Sequence, residues 1–302
     1  MKRIFFISLA TLFFFGFSYL HKNSGKLKLP REVARSFAFV PMGKLVLDST
    51  EYSIHAFFIS KYEVTNEQYN AFLQDLRYTK ETDKLKIASI DSNQWVKEYR
   101  YCEPFKVHYH SHPAYNKYPV VNISYDAAVL YCEWLTEKIN REYEGDYIFQ
   151  CRLPQRKEWM RAAIGNESPK PYTWGGPYLV NKKGELLCNY RTIGDANIHY
   201  NEETESYEVL QGGKSILGNT HFNASFLFTA PVDSYNENVL GIYNMNGNVA
   251  EMLHNSEIVA GGSWSSPGFD VQIKSTARNT APAPTIGFRP VISFRKKPGY
   301  SN

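Results

Sequence analysis

The sequence predicts an α+β fold: one loop-rich domain in which two main helices are set among short strands. Three observations predict it. Only two long stretches carry apolar residues at sustained helical spacing, one opening at Thr65 and one at Ser124. Beyond Ala163, Gly, Asn, Pro and Tyr recur and no long helical period appears. Aromatic residues make up 15% of the chain, with 22 Tyr and 19 Phe, enough to organise an interior that has few regular elements. The 302 residues are 43% hydrophobic and 21% charged, which describes a globular protein with a core of ordinary size.

Each element has a local reason. Lys2 and Arg3 precede an apolar run from Ile4 to Phe17, and the polar stretch 21–28 follows. This is the pattern of a secretory signal. Gly16 and Ser18 suit cleavage after Ser18, while an uncleaved anchor is the alternative. Residues 1–20 are therefore read as signal peptide or signal anchor, 21–36 as a basic linker, 37–296 as the domain and 297–302 as a tail. Strands are expected over Phe37–Val46, with a turn at Pro41-Met42-Gly43, and over Ile54–Ile59. Thr65 and Gln68 form a capping box, and Tyr69, Phe72, Leu73 and Leu76 make a buried stripe behind it. A short apolar strand is expected over Tyr118–Ile123, after which Ser124 caps a helix lined by Ala127, Leu130, Tyr131 and Trp134. Arg152-Leu153-Pro154 leads into a third helical stretch, Gln155–Ala163, where Pro suits the entrance.

The net charge of +4 comes from scattered residues, so no basic patch marks a nucleic-acid partner. Four cysteines, Cys102, Cys132, Cys151 and Cys188, form no C-x-x-C pair. In an exported chain they permit one or two disulfides in any of the three connectivities of four cysteines, or buried thiols. His108, His110 and His112 would share one face of a strand and could hold a transition metal, or would sit on a Tyr/His-rich loop. Hydrolase, nucleotide-binding and zincin motifs are absent from the sequence.

A family resemblance is carried by a series of blocks. Lys61-Tyr62-Glu63-Val64-Thr65-Asn66-Glu67-Gln68-Tyr69 comes first, then Pro119-Val120-Val121-Asn122-Ile123-Ser124-Tyr125 with Tyr131-Cys132-Glu133-Trp134. Arg152-Leu153-Pro154 with Glu158-Trp159, Tyr172-Thr173-Trp174-Gly175 and Thr229-Ala230-Pro231-Val232 follow. The last are Gly241-Ile242-Tyr243-Asn244-Met245-Asn246-Gly247-Asn248-Val249, Gly261-Gly262-Ser263-Trp264, Arg278 and Ile286-Gly287-Phe288-Arg289. In this order they resemble the formylglycine-generating enzyme (sulfatase-modifying factor) family. The resemblance implies a mixed α/β domain related to the C-type lectin fold and often stabilised by calcium. His112-Pro113-Ala114-Tyr115 is similar to exported bacterial members, some of them gliding-motility and type IX secretion lipoproteins with structural roles.

The family's enzymes oxidise a substrate cysteine with O2 through two cysteines that hold Cu(I), just after the Gly-Gly-Ser motif. Here the first position falls on Ser266 and the second on Asp270 or Val271, and no cysteine lies within 70 residues in sequence. A hydroxyl does not replace a thiolate as a Cu(I) ligand, so copper is not expected. Ser263, Ser266 and Arg278 are the remaining catalytic candidates. The resemblance assigns one calcium to the Asn244 side chain, the Gly247 and Val249 carbonyls and the Glu251 carboxylate, donors that suit a hard cation. The alternative is a tight turn without metal. A second calcium would use Asn189, Tyr190 and Phe226, but the acid it needs falls on Ala224. The expected protein is an exported, non-catalytic component of the periplasm or cell envelope with a protein or glycan partner. It would touch the membrane only through an uncleaved N-terminal segment. The alternative is an oxidoreductase of the family with altered metal chemistry.

Overall fold

The structure, a computed structural model, describes residues 29–47, 49–165, 170–192, 198–209, 228–278 and 281–298. It begins with helix α1 (Arg31–Ser36) and strands β1 (Phe37–Val40), β2 (Gly43–Leu47), β3 (Thr50–Ile54) and β4 (Phe57–Ser60). Helices α2 (Asn66–Tyr78), α3 (Thr82–Ile87), α4 (Gln94–Glu98), α5 (Glu103–His108) and α6 (Tyr125–Glu142) follow. Then come β5 (Tyr147–Arg152), α7 (Arg156–Ile164), β6 (Ile198–Asn201) and β7 (Ser206–Val209). The chain closes with β8 (Ala250–Met252), β9 (Ile258–Ala260), β10 (Thr276–Arg278), β11 (Ile286–Gly287) and β12 (Val291–Lys296).

One sheet, in the order β1-β4-β12-β5, is antiparallel throughout and divides the interior. Side chains alternate across a strand. Phe37, Phe149, Cys151 and Ile292 therefore face the core built on α2 and α6, whereas Ala38, Val40, Phe57, Ile59 and Val291 face the core under α7. A second sheet, β10-β9-β8-β11, has antiparallel pairs except for the parallel β8–β11 contact. Strands β2–β3 and β6–β7 form two separate hairpins.

The two main helices form as the sequence predicts. Thr65 and Gln68 close the capping box of α2, which buries Tyr69, Phe72, Leu73 and Leu76. Ser124 accepts the Ala127 N–H at 3.1 Å at the start of α6. Tyr131 of α6 packs edge-on against Phe72 of α2, and the Trp134 indole N–H donates to Asp75 at 2.7 Å. Burying a ring the size of Phe72 contributes about 2–3 kcal/mol. Helix α7 opens with a second capping box between Gln155 and Glu158, and Arg152 pairs with Glu158 at 2.7 Å.

Some expectations are corrected. The Phe37–Val46 stretch is two strands in different sheets, broken at Pro41, whose missing N–H cannot continue a ladder. Ile54–Ile59 is likewise divided, with β3 ending at Ile54 and β4 starting at Phe57. Tyr118–Ile123 forms only an isolated bridge, Pro119 to Thr65, and Asn122 takes a left-handed φ of 61° that stops extension. The linker read over 21–36 is too long. Leu29, Val33 and Phe37, four apart, share one apolar face and enter the α2/α6 core, and Arg31–Ser36 is helical. The expected signal segment lies outside the described residues, among which no helix is long and apolar enough to cross a membrane.

Candidate functional site

Segments 228–278 and 281–290 meet the residues after β4 at a buried polar hub. Glu63 and Arg289 are fully enclosed, and Glu251 is 1% exposed. The Arg289 guanidinium donates to Glu251 Oε1 from Nη2 at 2.7 Å and from Nε at 3.0 Å, and to Oε2 from Nε at 3.0 Å. It also donates to the carbonyls of Ser60 at 2.9 Å and Tyr243 at 2.7 Å. The Trp159 indole N–H completes the shell of Glu251 at 2.7 Å. Glu63 lies 4.0 Å from Arg289 and accepts the side-chain amides of Asn248 at 2.9 Å and Asn244 at 3.2 Å. Burial pushes the Glu63 carboxyl up to about 7, against the attraction of Arg289. Burial pulls the Arg289 guanidinium down most strongly of any single cause, but attraction and hydrogen bonding from Glu251 together with the attraction of Glu63 leave it raised, so the cation persists.

Local conformation explains why these residue types recur. Asn244 and Asn248 have left-handed φ values of 51° and 62°, a region that Asn tolerates while its side chain bonds nearby groups. Gly247, at φ 76°, passes so close to its neighbour that an added Cβ would lie 2.2 Å from the Asn189 carbonyl. The Asn248 side chain accepts the Ala230 N–H at 2.7 Å and an Asn189 amide hydrogen at 3.2 Å. Side chains thus replace the ladder bonds that a strand would supply.

Of the first calcium set, Asn244, Gly247 and Val249 lie on the loop that leads into β8 and Glu251 lies in β8 within this hub. The oxygen donors are of the right hardness. Both oxygens of Glu251 are already engaged by Arg289 or Trp159, however, so an ion would have to share this carboxylate with the guanidinium. Among the described residues no three of His, Cys, Asp and Glu gather as a metal cluster, so such an ion would depend on amide and carbonyl oxygens. Of the second calcium set, Asn189 donates to the Phe228 carbonyl at 2.6 Å and its own carbonyl accepts the Asn248 N–H at 2.8 Å. Tyr190 packs beside Cys188 and Val271, and Phe226 and Ala224 lie outside the described residues.

Ser263, Ser266 and Arg278 are brought together in a cleft of about 240 Å³, with Asp270, Ser275 and Thr276 also on its walls. The two serines close a turn on themselves. Ser266 Oγ accepts the Ser263 N–H at 3.0 Å and lies 3.2 Å from Ser263 Oγ, which accepts the Ser265 N–H at 3.2 Å. Neither bonds a histidine or carboxylate among the described residues, so no general base activates them there. Val271 is fully buried in a cluster with Tyr172 and Cys188. Sequence separation concealed this approach of a thiol, but Cys188 is 2% exposed, burial pushes its pKa up, and it does not line the cleft.

The three histidines do not line one face of a strand: the rings of His108 and His112 approach to 6.0 Å, and His110 points elsewhere, to Asn66. His108 ends α5, His112 is exposed and caps a short turn, and His110 is half-buried. The Asn66 amide donates to the Tyr109 and Tyr115 carbonyls, which leaves its oxygen to accept from His110 Nδ1 at 3.0 Å. Burial lowers the His110 pKa to about 3.

Sequence reasoning missed Glu63, Trp159, Asn248 and Arg289 as members of one site. Their signal was a charged or amide residue inside an apolar block, as in Tyr62-Glu63-Val64 and Phe288-Arg289-Pro290.

Residues 26–294 match the sulfatase-modifying factor enzyme 1-like domain. The formylglycine-generating enzyme of Mus musculus is 25% identical over 224 residues, covering 66% of this chain and 49% of that protein. That of Bos taurus is 26% identical over 218 residues, covering 66% and 48%. The chain thus spans about half the length of these curated relatives. Among solved structures, PvdO from Pseudomonas aeruginosa shares the fold with a TM-score of 0.52 at 16% identity, over 85% of this chain and 94% of that one. With a family match across nearly the whole described body, this chain belongs to the sulfatase-modifying factor enzyme 1-like domain family.

Proposed function

We propose that this protein is an exported, non-catalytic member of its family that serves as a binding or structural component of the cell envelope, with a protein or glycan partner. One observation carries the reading: the positions of the catalytic thiols hold Ser266 and Asp270 or Val271, and the hydroxyl oxygens of Ser263 and Ser266 accept backbone N–H groups of their own turn. Oxygen donors match Cu(I) poorly, so the chain has no pair of soft ligands there. The purified protein, given copper, reductant, O2 and a Cys-x-Pro-x-Arg peptide, is expected to leave the peptide mass unchanged and to lose its copper on dialysis. Conversion of the cysteine to formylglycine would lower the mass and overturn the reading. Export is tested by fusing residues 1–40 to a reporter that is active only outside the cytoplasm, and an inactive reporter would refute it.

A second reading, an oxidoreductase with altered metal chemistry, draws on the cleft that gathers Ser263, Ser266, Asp270 and Arg278. Turnover that disappears in Arg278→Ala would favour it. Calcium belongs to the proposal at the first loop only, held by the Asn244 side-chain oxygen and the Gly247 and Val249 carbonyls, with Glu251 shared between the ion and Arg289. The Glu63 carboxylate, where ionised, is 4.0 Å from the one guanidinium that Glu251 already engages, and that unbalanced charge favours a cation at this place. A chelator should lower the melting temperature of the wild type and leave Glu251→Gln unmoved, and no change in the wild type would remove calcium from the account.

A further inference from the structure

Two of the four cysteines meet in the main core. Cys132 lies on the buried side of α6 and Cys151 on the inner face of β5, 2% and 4% exposed, among Tyr131, Leu135, Phe149 and Ile292. The Thr136 hydroxyl ties their backbones, donating to the Cys132 carbonyl and accepting the Cys151 N–H, each at 2.8 Å. One turn later Asn140 exchanges two bonds with the Phe149 backbone, at 2.7 and 3.0 Å, so helix and strand cannot slide past each other. Both thiols are buried, and the Cys132 thiol acts with burial to raise that of Cys151. Cys102 lies instead in the cluster around Trp95 and Tyr109, and Cys188 with Tyr172 and Val271, so neither shares a core with another cysteine.

We propose that Cys132 and Cys151 are joined by a disulfide in the mature protein, while Cys102 and Cys188 remain thiols. The oxidant is another disulfide, of a small thiol or of an oxidoreductase. One cysteine thiolate attacks it, forms a mixed disulfide and expels the first thiolate of the oxidant. The second cysteine thiolate then attacks the protein sulfur of the mixed disulfide and expels the other. Two electrons leave the cysteines, the oxidant becomes two thiols, and the two cysteine protons end on them. Burial raises the Cys151 thiol well above its ordinary value and shields it, and only the thiolate reacts. The bond therefore forms before β5 closes on α6, and the folded reduced protein resists oxidation.

The test refolds the reduced full chain in a mixed oxidised and reduced glutathione buffer, then digests it with trypsin without reductant. Each cysteine falls in its own peptide, Cys132 in Tyr118–Lys138 and Cys151 in Glu142–Arg152. The expected product is these two peptides linked, about 2 Da lighter than their sum, with the Cys102 and Cys188 peptides alkylated. Reductant should lower the melting temperature of the linked protein by about 5–10 °C, from the closed loop it opens. It should not affect Cys151→Ala. Oxidised glutathione added to the protein already folded in its reduced form should leave the pair unlinked over hours. Refolded protein with both thiols free, or a link that includes Cys102 or Cys188, overturns the assignment. Linking in the folded state as fast as during refolding overturns the order of events.

Discussion

Replacing Arg289 with methionine removes the cation from the buried hub while keeping much of its volume. The wild-type guanidinium is fully enclosed and makes bonds to both Glu251 oxygens and to the Ser60 and Tyr243 carbonyls. The variant leaves Glu251 facing only the Trp159 N–H, and it removes a donor from the buried Ser60 carbonyl and from the partly buried Tyr243 carbonyl. Breaking a buried pair by deleting one partner costs about 3–5 kcal/mol. Each acceptor that loses its donor adds about 1 kcal/mol. Total stabilities are commonly about 5–15 kcal/mol, so Arg289→Met should stand near the edge of unfolding. Equilibrium urea unfolding, followed by the fluorescence of the enclosed Trp159 and Trp264, reads the shift in midpoint. Glu63→Gln is the comparison. Glu63 is 4.0 Å from Arg289 and its carboxyl titrates at about 7, so a neutral replacement should cost only about 1 kcal/mol. An Arg289→Met midpoint equal to the wild type, or one no lower than that of Glu63→Gln, would refute the hub as the clamp of these loops.

Gly247→Ala should destabilise by about 2 kcal/mol or more, because φ is 76° and the new Cβ would meet the Asn189 carbonyl at 2.2 Å; thermal unfolding reads this. Ser266→Ala should cost only about 1 kcal/mol in urea unfolding, since it removes one acceptor for the Ser263 N–H from a partly buried turn. Burial holds the His110 ring at about 3, below its ordinary 6.5, so the fold favours the neutral ring. Its contribution is fully present above pH 6.5 and is lost as pH falls toward 3, by at most about 1.4 kcal/mol per unit, less in proportion to the exposure the ring retains. His110→Gln should flatten the pH dependence of the urea midpoint between pH 6.5 and 5, and an unchanged slope would contradict the buried neutral ring.

The helices were legible because their signals are local. Thr65 and Gln68 are three residues apart, and the stripe behind them keeps one period, so no distant contact is needed to read α2. The sheets were legible only as apolar runs. Strand β12 lies between β4 and β5, and sequence order gives no hint of that pairing. Basic residues disguised α1, because Val33 within it and Leu29 and Phe37 on either side are visible as one face only when read four apart. The calcium loop was legible as a motif, but the cation facing Glu251 was not, because Arg289 lies 38 positions further on. Cys188 shows the reverse error, since distance along the chain said nothing about its packing beside Val271.

The hub and the cleft meet at the Gly261-Gly262 turn, where the Gly247 N–H donates to the Gly261 carbonyl at 2.8 Å and an added Cβ on Gly261 would lie 3.1 Å from Trp159. Backbone alone carries this junction. Among the described residues, no side chain of Ser263, Ser266, Asp270 or Arg278 bonds Glu63, Glu251 or Arg289. The loops are therefore ordered by groups that do not contact the cleft, and the cleft turn is closed by its own two hydroxyls. Changing the two thiol positions to oxygen or aliphatic side chains consequently leaves the scaffold intact. Retention of the family's fold therefore does not depend on which side chains occupy the cleft turn. A substitution at Ser266 should therefore move the unfolding midpoint little, whereas a substitution at Arg289 should lower it far.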